Sequence, residues 1–182
     1  MTSSCRYAII FTLELYPYKK TFALTTQRLP LLINVGFFQN LPIGSYRDFH
    51  FEFPALELPP DLSLNKFTAS AHISRTPQGL LFECKVDTST PLECVRCLEP
   101  FDQKLVSDFD EVYAYKTRNF TESGLYVPED GNIDLGPVIR EYLMLALPIK
   151  PLCRPDCQGL CIVCGENLNF STCEHQARIM LE

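Results

Sequence analysis

Polar and apolar positions alternate most regularly in the middle of the chain. In Phe49-His50-Phe51-Glu52-Phe53 aromatic and polar residues take turns, the period of two expected of a half-buried strand. Pro54, Pro59 and Pro60 interrupt the next stretch and predict a loop or an edge strand, since proline donates nothing to a ladder. Residues 67–75 and 79–89 are two further strand-like runs, joined by the turn Thr76-Pro77-Gln78-Gly79. In the second run Leu80, Phe82, Cys84 and Val86 share one face, while Leu81, Glu83, Lys85 and Asp87 share the other. Cys84 therefore reads as a core residue. A third run covers 101–115, and Leu92-Glu93-Cys94-Val95-Arg96-Cys97-Leu98 sits between the second and third in hairpin position.

The period changes near residue 134. Leu135, Val138, Ile139, Tyr142, Leu143 and Ala146 follow helical spacing and predict an apolar stripe facing a sheet over about 134–147. Asp134 is placed to cap this helix, Pro137 is tolerated in its first turn, and Pro148 ends it. Before it, residues 116–133 are polar and turn-rich, which predicts a mobile loop. The expected fold is α+β: a mainly antiparallel sheet or partly open barrel with one packed helix and a cysteine-rich C-terminal tail. The organisation predicted is an extension over 1–30, a β-rich domain with one helix over 31–150, and a metal-binding tail over 151–182 packed on that domain.

Composition adds limits. Hydrophobic residues at 46% and charged residues at 21% are ordinary globular usage, and 182 residues suffice for one real core. No apolar run is long enough to be a membrane-spanning helix. Residues 7–15 are apolar but contain Glu14 and lead into Tyr18-Lys19-Lys20, which reads as a strand or extension rather than a secretory signal, and so as a cytoplasmic protein. The net charge of −6 is unevenly spread: residues 1–30 hold four basic residues against Glu14, and the remainder holds 12 basic against 21 acidic. An acidic body disfavours broad nucleic-acid binding, which depends on neutralising phosphates.

The candidate chemistry lies in the nine cysteines. Cys94 and Cys97 form C-x2-C, and Cys153, Cys157, Cys161, Cys164 and Cys173 form a tail that ends in Cys-x-His with His175. A C-x2-C turn presents two thiolates converging on one point, as tetrahedral zinc requires. Gly159, Gly165 and Asn167 supply turns that let the backbone curl round an ion. One grouping joins Cys94, Cys97, Cys153 and Cys157 in a first site and Cys161, Cys164, Cys173 and His175 in a second. Another makes a single site of Cys94, Cys97, Cys161 and Cys164, and the spacing allows either. The competing readings are disulfides, which need an oxidising compartment, an iron–sulfur cluster, or a redox pair. Cys5 has no partner in view. His50 and His72 lie in strand-like runs and read as packing or surface residues. No nucleophile–base constellation, phosphate loop or dinucleotide fingerprint occurs, so no catalytic residue is assigned and the protein reads as a non-enzyme.

These residues resemble a known family. The stretch from Leu92 through Cys94, Arg96 and Cys97 to Phe101, then Ile133-Asp134-Leu135 through Glu141, Leu145-Ala146-Leu147-Pro148-Ile149, and the tail with Gly159-Leu160, Gly165 and Asn167-Leu168-Asn169 are similar to the YceD-like large ribosomal RNA subunit accumulation family. The resemblance covers about 31–175 and is specific in its second half. Residues 1–30 fall outside it, and His175 stands where similar proteins tend to carry another cysteine.

The resemblance implies a bacterial or plastid factor in biogenesis of the large ribosomal subunit, supporting accumulation or processing of 23S rRNA. Its partners would be a ribosomal protein or assembly factor, with precursor rRNA as a further candidate, and no membrane or small-molecule substrate. One or two structural Zn2+ ions would brace it. The alternative is a zinc-ribbon nucleic-acid-binding regulatory module, with Arg96, Lys150, Arg154 and Arg178 as its basic contacts.

Overall fold

A computed structural model describes residues 30–115 and 124–175. Its centre is a four-stranded antiparallel sheet in meander order: β2 (Tyr46–Leu58), β3 (Leu62–Arg75), β4 (Gly79–Glu93) and β5 (Pro100–Ala114). The short strands β1 (Leu32–Asn34) and β6 (Asn132–Asp134) pair separately, and α1 (Gly136–Ala146) follows β6 directly. β2 and β5 are both edges, so the sheet stays open and does not close into a barrel.

The alternation read from the sequence becomes the sheet's two faces. Phe67, Ala69, Ala71 and Ile73 of β3 and Leu80, Phe82, Cys84 and Val86 of β4 are buried, and Leu105, Phe109 and Tyr113 of β5 join them. Thr76 closes the β3–β4 turn by donating its hydroxyl to the Gly79 carbonyl at 3.0 Å. Gly79 is required there, because a Cβ would lie 2.1 Å from the Tyr113 carbonyl oxygen.

The prolines mark a real irregularity. β2 runs straight through Pro54 as an edge strand, and proline's missing donor is tolerated there. Opposite it, β3 carries one extra residue between its pairings Asn65↔Ser89 and Thr68↔Asp87, and Lys66 takes φ 52°. Both strands change phase at this bend. Phe49, Phe51 and Phe53 face the core before it and Leu56 and Leu58 after it, matched on β3 by Phe67 and then Leu64 and Leu62. Beyond the bulge, Thr90 and Thr88 are buried and donate hydroxyls to the carbonyls of Ser63 (2.8 Å) and Asn65 (3.0 Å), so these polar groups are not left unpaired.

α1 covers the inner face. Leu135, Ile139 and Leu143 are buried and Val138 and Tyr142 partly so, as the stripe predicts. Ala146 is exposed instead, and Leu147 beside it packs partly buried against the core. The Tyr142 ring stacks on Phe109 at 4.0 Å, and its hydroxyl donates to Glu111 at 2.8 Å. Leu135 is the N-cap residue, while Asp134 one position earlier accepts the Gly136 N–H at 2.9 Å.

The mobile loop expected over 116–133 is corrected for its second part. Val127 is buried and donates its N–H to the Ala114 carbonyl at 2.8 Å, while the Ala114 N–H donates to the Leu125 carbonyl at 3.1 Å. Ile133 is buried in β6. Val127 and Ile133, with Leu125 partly buried beside them, hold this turn-rich segment onto the core. The first part of that loop, the 1–30 extension before residue 30, Cys5 and Arg178 lie outside the described residues.

Phe82 is 1% exposed and its ring lies 4.5 Å from that of Tyr113. Phe82→Ala is expected to destabilise the fold by about 3–5 kcal/mol, read as a lower urea midpoint, whereas Val106→Ala on the opposite, solvent face should change it by less than about 0.5 kcal/mol.

Candidate metal centres

The first cluster forms where β4 turns into β5. Cys94 donates its N–H to the Glu99 carbonyl (3.0 Å), Leu98 donates back to Cys94 (2.9 Å), and Leu98 itself takes φ 58°. This tight turn aims Cys94 and Cys97 to the same side. The tail reaches it after α1 and is tied down by backbone bonds: Val95 N–H to Pro151 O (3.0 Å) and Leu160 N–H to Arg96 O (3.1 Å). Gly159 makes this approach possible, since it has φ 78° and a Cβ would sit 3.0 Å from the Arg96 carbonyl oxygen.

The result is a tetrad of Cys94, Cys97, Cys153 and Cys157 whose sulfurs all lie within 4.8 Å of one another. Sγ of Cys94 is 3.7 Å from that of Cys157, and Sγ of Cys97 is 3.6 Å from that of Cys153. Around them, Arg96 donates to the Cys157 carbonyl (2.8 Å), and Asn169 points its Nδ2 at the Cys157 sulfur (3.4 Å). Asn169 is itself fixed by Gln158 N–H and Arg154, which both donate to its Oδ1. Leu152, Leu160 and Phe101 shield the tetrad.

The second cluster lies wholly in the tail. Cys161 donates to Glu166 (2.8 Å) and Gly165 donates to Cys161 (2.9 Å), with Gly165 at φ 74°, making a knuckle that holds Cys161 and Cys164 together. Cys173 and His175 come back to it, and the four ligand atoms again lie within 4.8 Å. His175 Nδ1 is buried with no hydrogen-bond partner among the described residues.

Among the two groupings the spacing allowed, this arrangement follows the two-cluster one; Cys161 and Cys164 do not share a cluster with Cys94 and Cys97. Cys84 is 2% exposed in the sheet core, and burial pushes its thiol up to about 12, so it is inert. His50 is exposed, and His72 Nδ1 lies 2.6 Å from Asp48 Oδ1 on the solvent face, both far from any cluster in the sheet register. Arg96, read from the sequence as a candidate basic contact, and Asn169, read only as part of the family-like tail, support the first cluster instead, a role the sequence reading did not give them. An Asn two residues after another Asn, beside a glycine turn, was the available signal.

Electrostatics in each cluster favour partial ionisation. Burial opposes charge on Cys94, but the amides of Cys153, Cys97 and Arg96 outweigh it and bring the thiol down to about 6. Burial and the neighbouring Cys97 and Cys157 sulfurs push Cys153 up to about 12, because crowded thiolates cannot all form without a cation. Cys161 likewise falls to about 6 under the amides of Cys164 and Val163.

Both groups could hold a metal ion. A tetrahedron with metal–sulfur bonds of about 2.3 Å has sulfur–sulfur edges of about 3.8 Å, close to the 3.6 and 3.7 Å found, and far from a disulfide's length of about 2.05 Å. The eight described cysteines are all free thiols. At the second cluster His175 offers one ring nitrogen to the group, and its buried Nδ1 has no hydrogen-bond partner among the described residues.

An open antiparallel sheet whose terminal hairpin is clasped by a cysteine-rich tail, with two sites suited to metal, is the class of protein these features define. Residues 82–180, just over half the chain, match the family model "Large ribosomal RNA subunit accumulation protein YceD", and the chain belongs to that family. The match begins within β4 and takes in the hairpin, the helix and the tail. An uncharacterized protein of Mycobacterium tuberculosis is 36% identical over 99 residues, covering 51% of this chain and 47% of that protein. One of Mycobacterium leprae is 34% identical over 102 residues, covering 53% and 46%. The chain thus spans about half the length of these relatives. The Zea mays protein named large ribosomal RNA subunit accumulation protein YCED homolog 1, chloroplastic, is 40% identical over 43 residues, covering 24% of this chain and 15% of that one. No solved structure matches.

Metal uptake must displace the protons that Cys153 and its high-lying neighbours retain. Zinc affinity is therefore expected to weaken as pH falls, and more steeply below about 6, where Cys94 and Cys161 also become protonated. Competitive zinc titrations across this range check it, and a pH-independent affinity would contradict it.

Proposed function

We propose that this protein is a non-catalytic factor in biogenesis of the large ribosomal subunit, supporting 23S rRNA accumulation or processing in the cytoplasm, and that both cysteine clusters hold structural Zn2+. The observation that carries the reading is the family match over 82–180, the stretch that also contains the hairpin and tail that build both clusters. The names of the plant relatives point the same way. Four thiolates, or three with an imidazole, would close the shell round zinc and leave no position for a reacting water, which supports bracing rather than catalysis.

Charge supports a basic protein partner. Asp48, Glu52, Glu83, Asp87, Asp108 and Asp110 share the solvent face of the sheet through direct cross-strand neighbours. Its lysines are already paired, Lys85 with Asp108 at 3.5 Å and Lys104 with Asp87 at 2.8 Å. Two loaded centres would take the formal charge from −6 to about −9. Such a surface repels phosphates and attracts the Lys- and Arg-rich proteins of the ribosome. A ribosomal protein or assembly factor is therefore favoured over precursor rRNA. The zinc-ribbon nucleic-acid reading is less well served, because Arg96 is committed to the Cys157 carbonyl and Arg154 to Asn169.

Depleting the protein is expected to lower 23S rRNA and to raise its unprocessed precursors relative to 16S rRNA. Unchanged levels and unchanged precursor ends would sink the proposal. Elemental analysis of the purified protein is expected to return two zinc ions per chain. RNA binding that weakens steeply with salt would instead favour the nucleic-acid module.

A further inference from the structure

Both clusters have four ligands, but their surroundings differ, and we infer that they hold metal with different permanence. The tetrad of Cys94, Cys97, Cys153 and Cys157 is a fixed fastener. The group of Cys161, Cys164, Cys173 and His175 is an exchangeable zinc site whose loading orders the end of the tail. This rests on the reading that both groups take zinc.

Access is the first difference. Cys94, Cys97 and Cys157 are 0%, 4% and 2% exposed and Cys153 is half-buried, so that centre offers an incoming ligand one partly covered thiol and no fully exposed one. In the second group only Cys161 is buried; Cys164 is exposed and Cys173 and His175 are half-buried. Metal leaves a site by stepwise replacement of its ligands, and an exposed thiolate gives the incoming ligand its place to begin.

Preorganisation is the second. The first tetrad is held together without metal by Val95–Pro151, Leu160–Arg96 and the Arg96–Cys157 bond, and the Cys157 sulfur accepts from Asn169. At the second group the knuckle carrying Cys161 and Cys164 has its own backbone bonds, but the returning arm does not. The last backbone donor of the described tail is Ser171, onto Asn167, and none follows through residues 172–175. Among the described residues, no hydrogen bond outside the centre places the arm's two ligands. His175, with its unpartnered Nδ1, is the clearest case.

The third is what each centre joins. Sulfurs of the first come from positions 56 and 63 residues apart and tie the tail to the sheet. The second spans 161–175 and ties the tail only to itself. Losing its ion would free the arm and loosen the knuckle it closes on, while the hairpin and the sheet remain. The exposed apolar side chains near it, Ile162 at 85% and Phe170 at 80%, would then be displayed differently with metal bound and with metal removed.

The test uses the full-length protein loaded with two equivalents of zinc and challenged with excess chromogenic chelator. Supporting partners of the kind that Arg96 and Asn169 provide alter metal affinity by about 10–100-fold, and release in two phases separated by a factor of that order is expected. His175→Ala should remove the fast phase and leave the slow one. Because Cys153→Ser puts the fold itself at risk, the second readout is hydrogen exchange on the unaltered chain after one equivalent has left. Protection should fall in 161–175 and persist in 94–101. Two ions leaving at one rate, or a fast phase that survives His175→Ala, would overturn the inference while leaving the two-zinc reading intact. Failure to take up two equivalents at the outset would overturn the reading itself.

Discussion

The unbroken ladder between β4 and β5 carries both halves of this protein. It runs in register from Gly79↔Ala114 to Glu93↔Pro100. Toward its first end the inward residues Leu80, Phe82, Cys84, Phe109 and Tyr113 build the core under α1. Its other end is the turn that presents Cys94 and Cys97. Side chains alternate with a period of two, so a slip by one residue would turn that core outward and rotate the cysteines away from the tail. Burial of Phe82 and its neighbours therefore fixes the direction of a thiol pair at the opposite end of the same strands.

The tail exploits that fixed turn. It has no helix or strand of its own among the described residues 151–175 beyond the single bridge Leu160↔Asn167, and too few apolar groups to form a core. Its order comes from glycine turns, Asn side chains that accept backbone donors, and convergence of sulfurs. Crowding of thiols in a buried place is unfavourable for charge, as the raised Cys153 shows, and a divalent cation relieves that conflict. The same arithmetic leaves an acidic molecule with an acidic sheet face, and this is the physical basis for expecting a basic partner.

Much of this was legible along the chain. The strands of residues 67–75 and 79–89 follow from alternation, that of 101–115 from a looser one, and the helix from a 3.6-residue stripe ended by Pro148. Pro54 was correctly a sign of an edge, but the sequence did not show that β2 and β3 shift phase together there, because a bulge is defined by what lies across the ladder. Residues 124–133 looked like loop because their turn residues, Gly124, Pro128, Asp130, Gly131 and Asn132, masked Val127 and Ile133, whose burial depends on a core built by distant strands.

For the candidate site, the division is equally clear. Cysteines close in sequence, Cys94 with Cys97 and Cys161 with Cys164, declared themselves by spacing, since a C-x2-C turn needs only local backbone geometry. Which pairs combine was open, because nothing local relates Cys94 to Cys157 across 63 residues. The sequence by itself determined the alternating sheet, the single helix, the acidic balance and the supply of soft ligands. Only the tertiary structure decided that the hairpin meets Cys153 and Cys157, that Arg96 and Asn169 support them, and that the second group is the more open of the two. Periodicity is a property of neighbours in the chain, whereas burial and long-range convergence are set by the whole fold at once.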